Sequence, residues 1–381
     1  MSLKLYSKPI GPVDESFVEK ARKFAKERIE PNADRIEMNR EQPSDIMRDQ
    51  IKEFTSLVVP KELGGSGSNY ITRVLVLEEL AKADIGITFA CAVHGNCVWG
   101  AAKVPNIPLR DRYLPGLLSG KTILTFVFTE PQSGSDAAGM KCRAEEKGGK
   151  WVINGEKAWI TSFSTADLLF VFAQTKEVGN TKGVIAFLVD AKTNGIERTK
   201  PYDMIGAHAM NAGGMTFKNC TVDAECVAFP VGSGFKAGLM AIDIARLGVG
   251  SMCNGVLQGC LETAIDYAKE RMAFGAPIIK NQGVMFKFTD AVTNLEASRS
   301  LNYQAALALD SGDAAASLLC SHTKKFASRV AWTCVHDCMD NMGSNGLKRT
   351  YRLARQLSGL AMCSNTDGTN EICNIVIGRS F

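Results

Sequence analysis

From Leu239 to Arg271 the chain runs without a proline, with apolar residues at helical spacing, and closes on Lys269–Glu270–Arg271. A segment of that length and period predicts one long helix, whose apolar stripe has to be buried against other helices. Helical periodicity starts again at Phe235 and recurs in 282–309, 314–340 and 347–360, which suits an antiparallel bundle with cofactor or partner surfaces between its helices.

Upstream the texture differs. Residues 122–128 are apolar and β-branched, and 150–160, 168–175, 183–190 and 215–222 are short runs punctuated by Gly, Asn and Lys. Asn154–Gly155 reads as a tight turn between two such runs. Before Lys121 the pattern is helical again, in 13–29, 46–57, 71–83 and 109–118, broken by Pro60, the 64–68 Gly/Ser cluster, Pro105 and Pro108. The expected order is an N-terminal helical domain over 1–119, a central β domain over 120–229 and a C-terminal helical bundle over 230–381, an α+β fold.

Composition narrows the function. A net charge of +4 supplies no clustered basic face for nucleic acid. None of the twelve cysteines forms a CxxC pair, and Cys334 and Cys338 have no second pair or His at zinc spacing, so no metal site is expected. No apolar signal core opens the chain and no apolar run reaches spanning length, so no membrane span is expected. Unpaired thiols without a signal fit the reducing cytoplasm.

Five segments carry candidate chemistry. Phe128–Thr129–Glu130–Pro131 with Ser133–Gly134–Ser135–Asp136 closes a strand, and its outward N–H groups can form a nest for a ring edge or phosphate, or merely a solvated turn. Trp159 and Thr161 could pair a stacking face with a hydroxyl, or Trp159 could be core. Arg271 and Phe274 offer a phosphate fork and a stacking surface, although an Arg there also suits a helix C-terminus. Asn341–Met342–Gly343–Ser344–Asn345–Gly346 breaks two helices, and Asp367–Gly368–Thr369 places an acid before a helix-capping Thr.

In this order and spacing, over essentially the whole chain, these segments resemble the acyl-CoA dehydrogenase family. The resemblance implies an N-terminal α domain, a central β domain (barrel or sheet) and a C-terminal four-helix bundle, assembled as a homotetramer. It implies FAD between the β domain and the bundle. Phe128 and Thr129 would meet the flavin pyrimidine edge, Trp159 would flank the ring, and Thr161 would lie near N5. Ser135 would lie where pantetheine or FAD phosphates pass. Arg271, Phe274 and Gln282 would reach the FAD of a neighbouring subunit, and Thr369 and Glu371 would contact FAD. Asp243, Arg246, Gly368 and Arg379 would line the CoA or acyl site. The implied chemistry removes a proton beside the thioester and passes the β-hydride to flavin N5 and then to an electron-transfer flavoprotein.

The base position, usually Glu in this family, is Asp367, whose carboxylate sits back by ~1.5 Å, one carbon–carbon bond. A shift of that size can cost about a hundredfold unless the substrate moves to meet it, which suggests a cyclic acyl group such as cyclohexane- or cyclohexene-carboxyl-CoA. The alternative base position is occupied by Ala245. His94 could be a substrate-site acid/base group or a hydrogen-bonded structural residue. Ser358–Gly359 and Asp340 also depart from the family pattern, which usually has Arg–Asp and Gln. Rival readings are an oxidase, an acyl-carrier-protein dehydrogenase, an enoyl-CoA reductase and a non-catalytic flavoprotein.

Overall fold

The computed structural model describes residues 3–381. Helices α1 (Glu15–Phe24), α2 (Ala33–Asn39), α3 (Ser44–Phe54), α4 (Tyr70–Ala83), α5 (Ile85–Ala102) and α6 (Ile107–Leu118) come first. Four of the six starts are side-chain capped: Asp14, Asn69, Asp84 and Asn106 accept backbone N–H bonds at α1, α4, α5 and α6. Pro108, expected in a connector, lies in the first turn of α6, where its missing N–H costs nothing.

By length and composition α5 could cross a membrane, contrary to the expectation that no segment would. Its setting explains the composition. It packs against α3, α4, α6, α7 and β1, and 78% of it is buried inside the protein. It is the helix around which the N-terminal unit is built.

Eight strands form one sheet: β1 (Leu124–Val127), β2 (Arg143–Lys147), β3 (Lys150–Ile160), β4 (Leu168–Gln174), β5 (Val184–Asp190), β6 (Ile196–Arg198), β7 (Gly213–Asp223) and β8 (Val227–Phe229). The order is β6-β7-β3-β2-β4-β5-β8, with β1 parallel to β4. Every residue of β4 is buried, as a strand with neighbours on both edges and cover on both faces requires.

Asn154–Gly155 is not a turn. It lies inside β3, at a register shift against β7, and a Cβ on Gly155 would fall 2.6 Å from the Cys142 backbone. The pair forms a bulge that lets two backbones close up. The β2–β3 turn is made instead by Gly148 and Gly149, at φ 59° and 77°, the left-handed pair that a two-residue hairpin needs.

The C-terminal unit is built on three long helices, α7 (Gly234–Glu270), α8 (Gln282–Ser311) and α9 (Ala316–Asn341), which pack against one another. A small hairpin, β9 (Met272–Ala273) and β10 (Ala276–Pro277), joins α7 to α8. The fourth position is shared by the short α10 (Arg352–Leu360) and α11 (Asn370–Gly378), both against α9. α10 begins later than expected because 343–347 forms a 3-10 turn. α4 also packs on α7 and α8, which joins the helical units.

Candidate active site

The loop that precedes α11 holds the first group. Asp367 has φ 54° and Gly368 φ 83°, consecutive left-handed residues that turn the chain sharply into the helix capped by Thr369. The loop is held from two sides. Arg246 on α7 donates Nε to the Asp367 carbonyl at 3.0 Å. Lys324 on α9, fully buried, donates Nζ to the carbonyls of Ser364 (3.0 Å) and Gly368 (2.8 Å) and to Asn370 Oδ1 (3.1 Å). Burial lifts the Asp367 carboxyl above its ordinary range, while Lys324, a hydroxyl bond from Thr366 and Arg246 pull it partly back. The result is a more basic carboxylate beside fixed cations.

Asp243 joins this group through a 3.0 Å bond from Arg246 Nη1, which also reaches Ser321 Oγ at 3.1 Å. Burial raises the Asp243 carboxyl, with Arg246 and Ser317 opposing.

A second group lies where the sheet meets α7. Glu130 and Lys157 form a buried ion pair at 2.8 Å that sequence reasoning did not single out. Lys157 Nζ also donates to the Phe128 carbonyl at 2.8 Å, and Glu130 accepts the N–H groups of Lys141 (2.7 Å) and Cys142 (3.0 Å). Burial raises the Glu130 carboxyl, but Lys157 and these donors bring it below its usual value. The pair fixes the ends of β1 and β3 together, and with them Phe128, Thr129 and Trp159. Its signal was available in part: Glu130 sits inside the 128–136 segment, and Lys157 lies two residues before Trp159.

Trp159 is 61% exposed, at φ 59°, with its ring 4.6 Å from that of Tyr202. A large aromatic held outward on strained backbone is not a core residue. Thr161, two residues on, is buried, and its carbonyl accepts from Thr125. The two groups meet on α7: a Cβ on Gly238 would lie 2.8 Å from the Phe128 ring, and Asp243 follows five residues later, a rise of about 7.5 Å. Beside them α5, β8 and α7 line an open cleft of about 240 Å³, bordered by Trp99, Lys103, Lys236 and Met240.

Other expected residues lie elsewhere. Arg271, Phe274 and Gln282 are exposed along the β9–β10 hairpin and the start of α8, with Phe274 99% accessible. Ser135 is exposed in the bend that follows the turn closed by the Glu130–Ser133 bridge. Glu371 and Arg379 are exposed at opposite ends of α11.

His94 is not a substrate-site acid or base. Its Nδ1 accepts the Leu124 N–H at 2.9 Å and its Nε2 donates to the Leu117 carbonyl at 3.1 Å. Both ring nitrogens are spent on backbone, and burial lowers its pKa to about 4. The imidazole pins α6 and β1 to α5. Asp340 is on the α9 surface, 3.3 Å from Lys287. Gly359 is explained by packing: a Cβ there would lie 2.4 Å from Ile85 Cγ2.

Residues 12–121, 125–220 and 232–381 match in turn the N-terminal, middle and C-terminal domains of acyl-CoA dehydrogenase. The chain belongs to the acyl-CoA dehydrogenase family. It is therefore an oxidoreductase of the CH–CH class, with the family's α, sheet and α domains. Among relatives, mitochondrial isovaleryl-CoA dehydrogenase of Arabidopsis thaliana is 31% identical, over 96% of this chain and 90% of its own. Butyryl-CoA dehydrogenase from Megasphaera elsdenii superposes with a TM-score of 0.94 at 26% identity, covering 98% of this chain and 99% of that one. A structure described as PigA with FAD and proline gives 0.94 at 25% identity, over 98% and 99% of the two chains.

Proposed function

We propose that the protein binds FAD and oxidises an acyl-CoA thioester between Cα and Cβ, with the Asp367 carboxylate removing the α-proton. The observation that carries this reading is the half-buried Asp367 carboxyl, raised by its surroundings, on a loop clamped by Arg246 and Lys324. Bound flavin would supply the acceptor for the β-hydride. The residues that would hold it are Phe128 and Thr129 at the end of β1, Trp159 against the ring, Thr161, Ser135, Thr369 and Glu371. From a neighbouring subunit Arg271, Phe274 and Gln282 would complete the site in a homotetramer, and their exposure in one chain supports that arrangement. Asp243, Arg246, Gly368 and Arg379 would border the thioester, and Lys103 and Lys236 suit its phosphates.

This chain's own residues orient and protect the proton transfer. Arg246 fixes the backbone from which the base projects, Lys324 holds the loop shut, and burial keeps the carboxylate basic. We place the working units at 1–119, 120–229 and 230–381, the electron acceptor in an electron-transfer flavoprotein, and the protein in the cytoplasm, where twelve free cysteines remain reduced.

The experiment is anaerobic flavin bleaching against linear, branched and cyclic CoA thioesters. The shorter base makes the cyclic members an informative arm. With the best substrate, Asp367→Asn should slow bleaching by roughly 10²–10⁴-fold, the usual worth of a positioned base. Bleaching at the wild-type rate in Asp367→Asn would remove Asp367 from the reaction. FAD that no thioester bleaches would indicate a carrier-protein substrate or a non-catalytic flavoprotein.

A further inference from the structure

Arg73 on α4 is 7% exposed and, among the described residues, has no acidic partner. Its Nη2 donates to the neutral amide oxygen of Asn96 on α5, and its Nη1 is buried with no hydrogen-bond partner. The titratable groups whose charge would reach it are Tyr70 and Cys320, each pushed up by burial to about 12 and so uncharged at neutral pH. A guanidinium stays charged in proteins, and a desolvated one without a counter-charge is among the costliest arrangements a fold can keep. The other buried cations are compensated. Lys157 has Glu130, Arg299 has Glu78, Arg246 has Asp243, and Lys324 donates to three oxygens.

Arg73 borders a cavity of about 30 Å³ between α3, α4 and α5. That is room for one occupant about the size of a water molecule. None of the lining residues is acidic, and most of the wall is apolar, from side chains such as Phe54, Val76 and Leu80. Gln50 on α3 is on the same wall, 2% exposed, and its amide oxygen is buried without a partner. Two polar groups without partners, one on α3 and one on α4, therefore border a single small space.

A water between them would satisfy both hydrogen bonds, accepting from Arg73 and donating to Gln50. It would leave the positive charge uncompensated in apolar surroundings, where charge is expensive. An anion removes that cost. The two ends of a Gln amide have the same shape, so which one turns inward follows what it meets. With the amide reversed, its NH2 group donates to the anion beside Arg73. The size of the cavity admits a monatomic anion and excludes sulfate, phosphate or a carboxylate group.

We propose that this cavity is a buried halide site, in which Arg73 Nη1 and the Gln50 amide hold one chloride ion. The ion supplies the counter-charge that the chain itself does not, and it ties α4 to α3 in the interior of the N-terminal helical unit. The site stands apart from the thioester chemistry and does not depend on it.

The test follows the melting temperature of the full chain as purified, at fixed ionic strength, while chloride replaces gluconate, an anion too large for the cavity. Wild type should gain roughly 1–3 °C for each tenfold rise in chloride above its Kd. Bromide should act in the same way. Arg73→Met removes the charge and should lack that rise. An apolar replacement for an unpaired buried charge is often stabilising, so Arg73→Met should melt above wild type in gluconate and lose that lead in chloride. Should Arg73→Met fail to fold, Gln50→Leu decides: with one donor gone, it should need several-fold more chloride for the same gain. Crystals grown in bromide should show one anomalous scatterer beside Arg73 Nη1. A wild-type melting temperature indifferent to the exchange, or an equal rise in Arg73→Met or an unshifted one in Gln50→Leu, overturns the proposal and leaves a water in the cavity. Bromide seen in the crystal without an effect in solution is binding at crystal concentration only, and overturns it as well.

Discussion

At the scale of single residues, the behaviour of this site is set by burial working against nearby charge. Asp367 acts only when unprotonated, and its carboxyl is raised. Activity should therefore climb with pH over a window above the ordinary Asp value of about 3.9, and the acid limb of kcat/KM measures it. Glu78 shows the same competition away from the chemistry. Burial pushes it up to about 7, although Arg299 lies 3.2 Å away and opposes the shift. Its folded pKa exceeds its unfolded one, so the stability it contributes is present at low pH and is lost as pH rises from about 4.5 to about 7. Glu78→Gln, which cannot ionise, should lose less stability than wild type as pH rises through that window. Melting temperature against pH for both proteins checks this, and parallel curves would show that Glu78 does not titrate there.

At the scale of elements, the long helices and most strands could be read from period alone, because one face of each is buried by its own pattern. Residues 150–160 became β3 with no change of bounds. The misreading at Asn154–Gly155 has a physical origin. Whether that pair turns or bulges depends on Cys142, a strand away, and no local pattern carries that contact. Lys324 and Arg73 were missed for a related reason: a lone cation in a helix looks like its solvent face until the neighbouring helices are in place. His94 was noticed, but its partners Leu117 and Leu124 offer only backbone. Gly359 reports on the spacing of α10 and α5. Gly359→Asp should push Ile85 aside and cost roughly 1–3 kcal/mol, read by denaturant unfolding. An unchanged midpoint would mean that α10 can move.

At the scale of the whole molecule, the exposed hairpin carries Met272 and Phe274, with Met285 and Phe286 following on α8. Apolar surface of this kind marks an association face. If Arg271 clamps a neighbour's cofactor, Arg271→Ala should lower the FAD-to-protein ratio after gel filtration, more steeply on dilution than in wild type. Full retention at low concentration would make each chain self-sufficient. The interior has a different consequence. Eleven of the twelve free cysteines are buried and Cys226 is only partly shielded. Burial holds most of these thiols in the protonated, unreactive form. An alkylating reagent should consequently mark Cys226 quickly and the others only as the domains open. The mass gained with time is then a clock of breathing, with hands in the N-terminal helices, the sheet and the bundle.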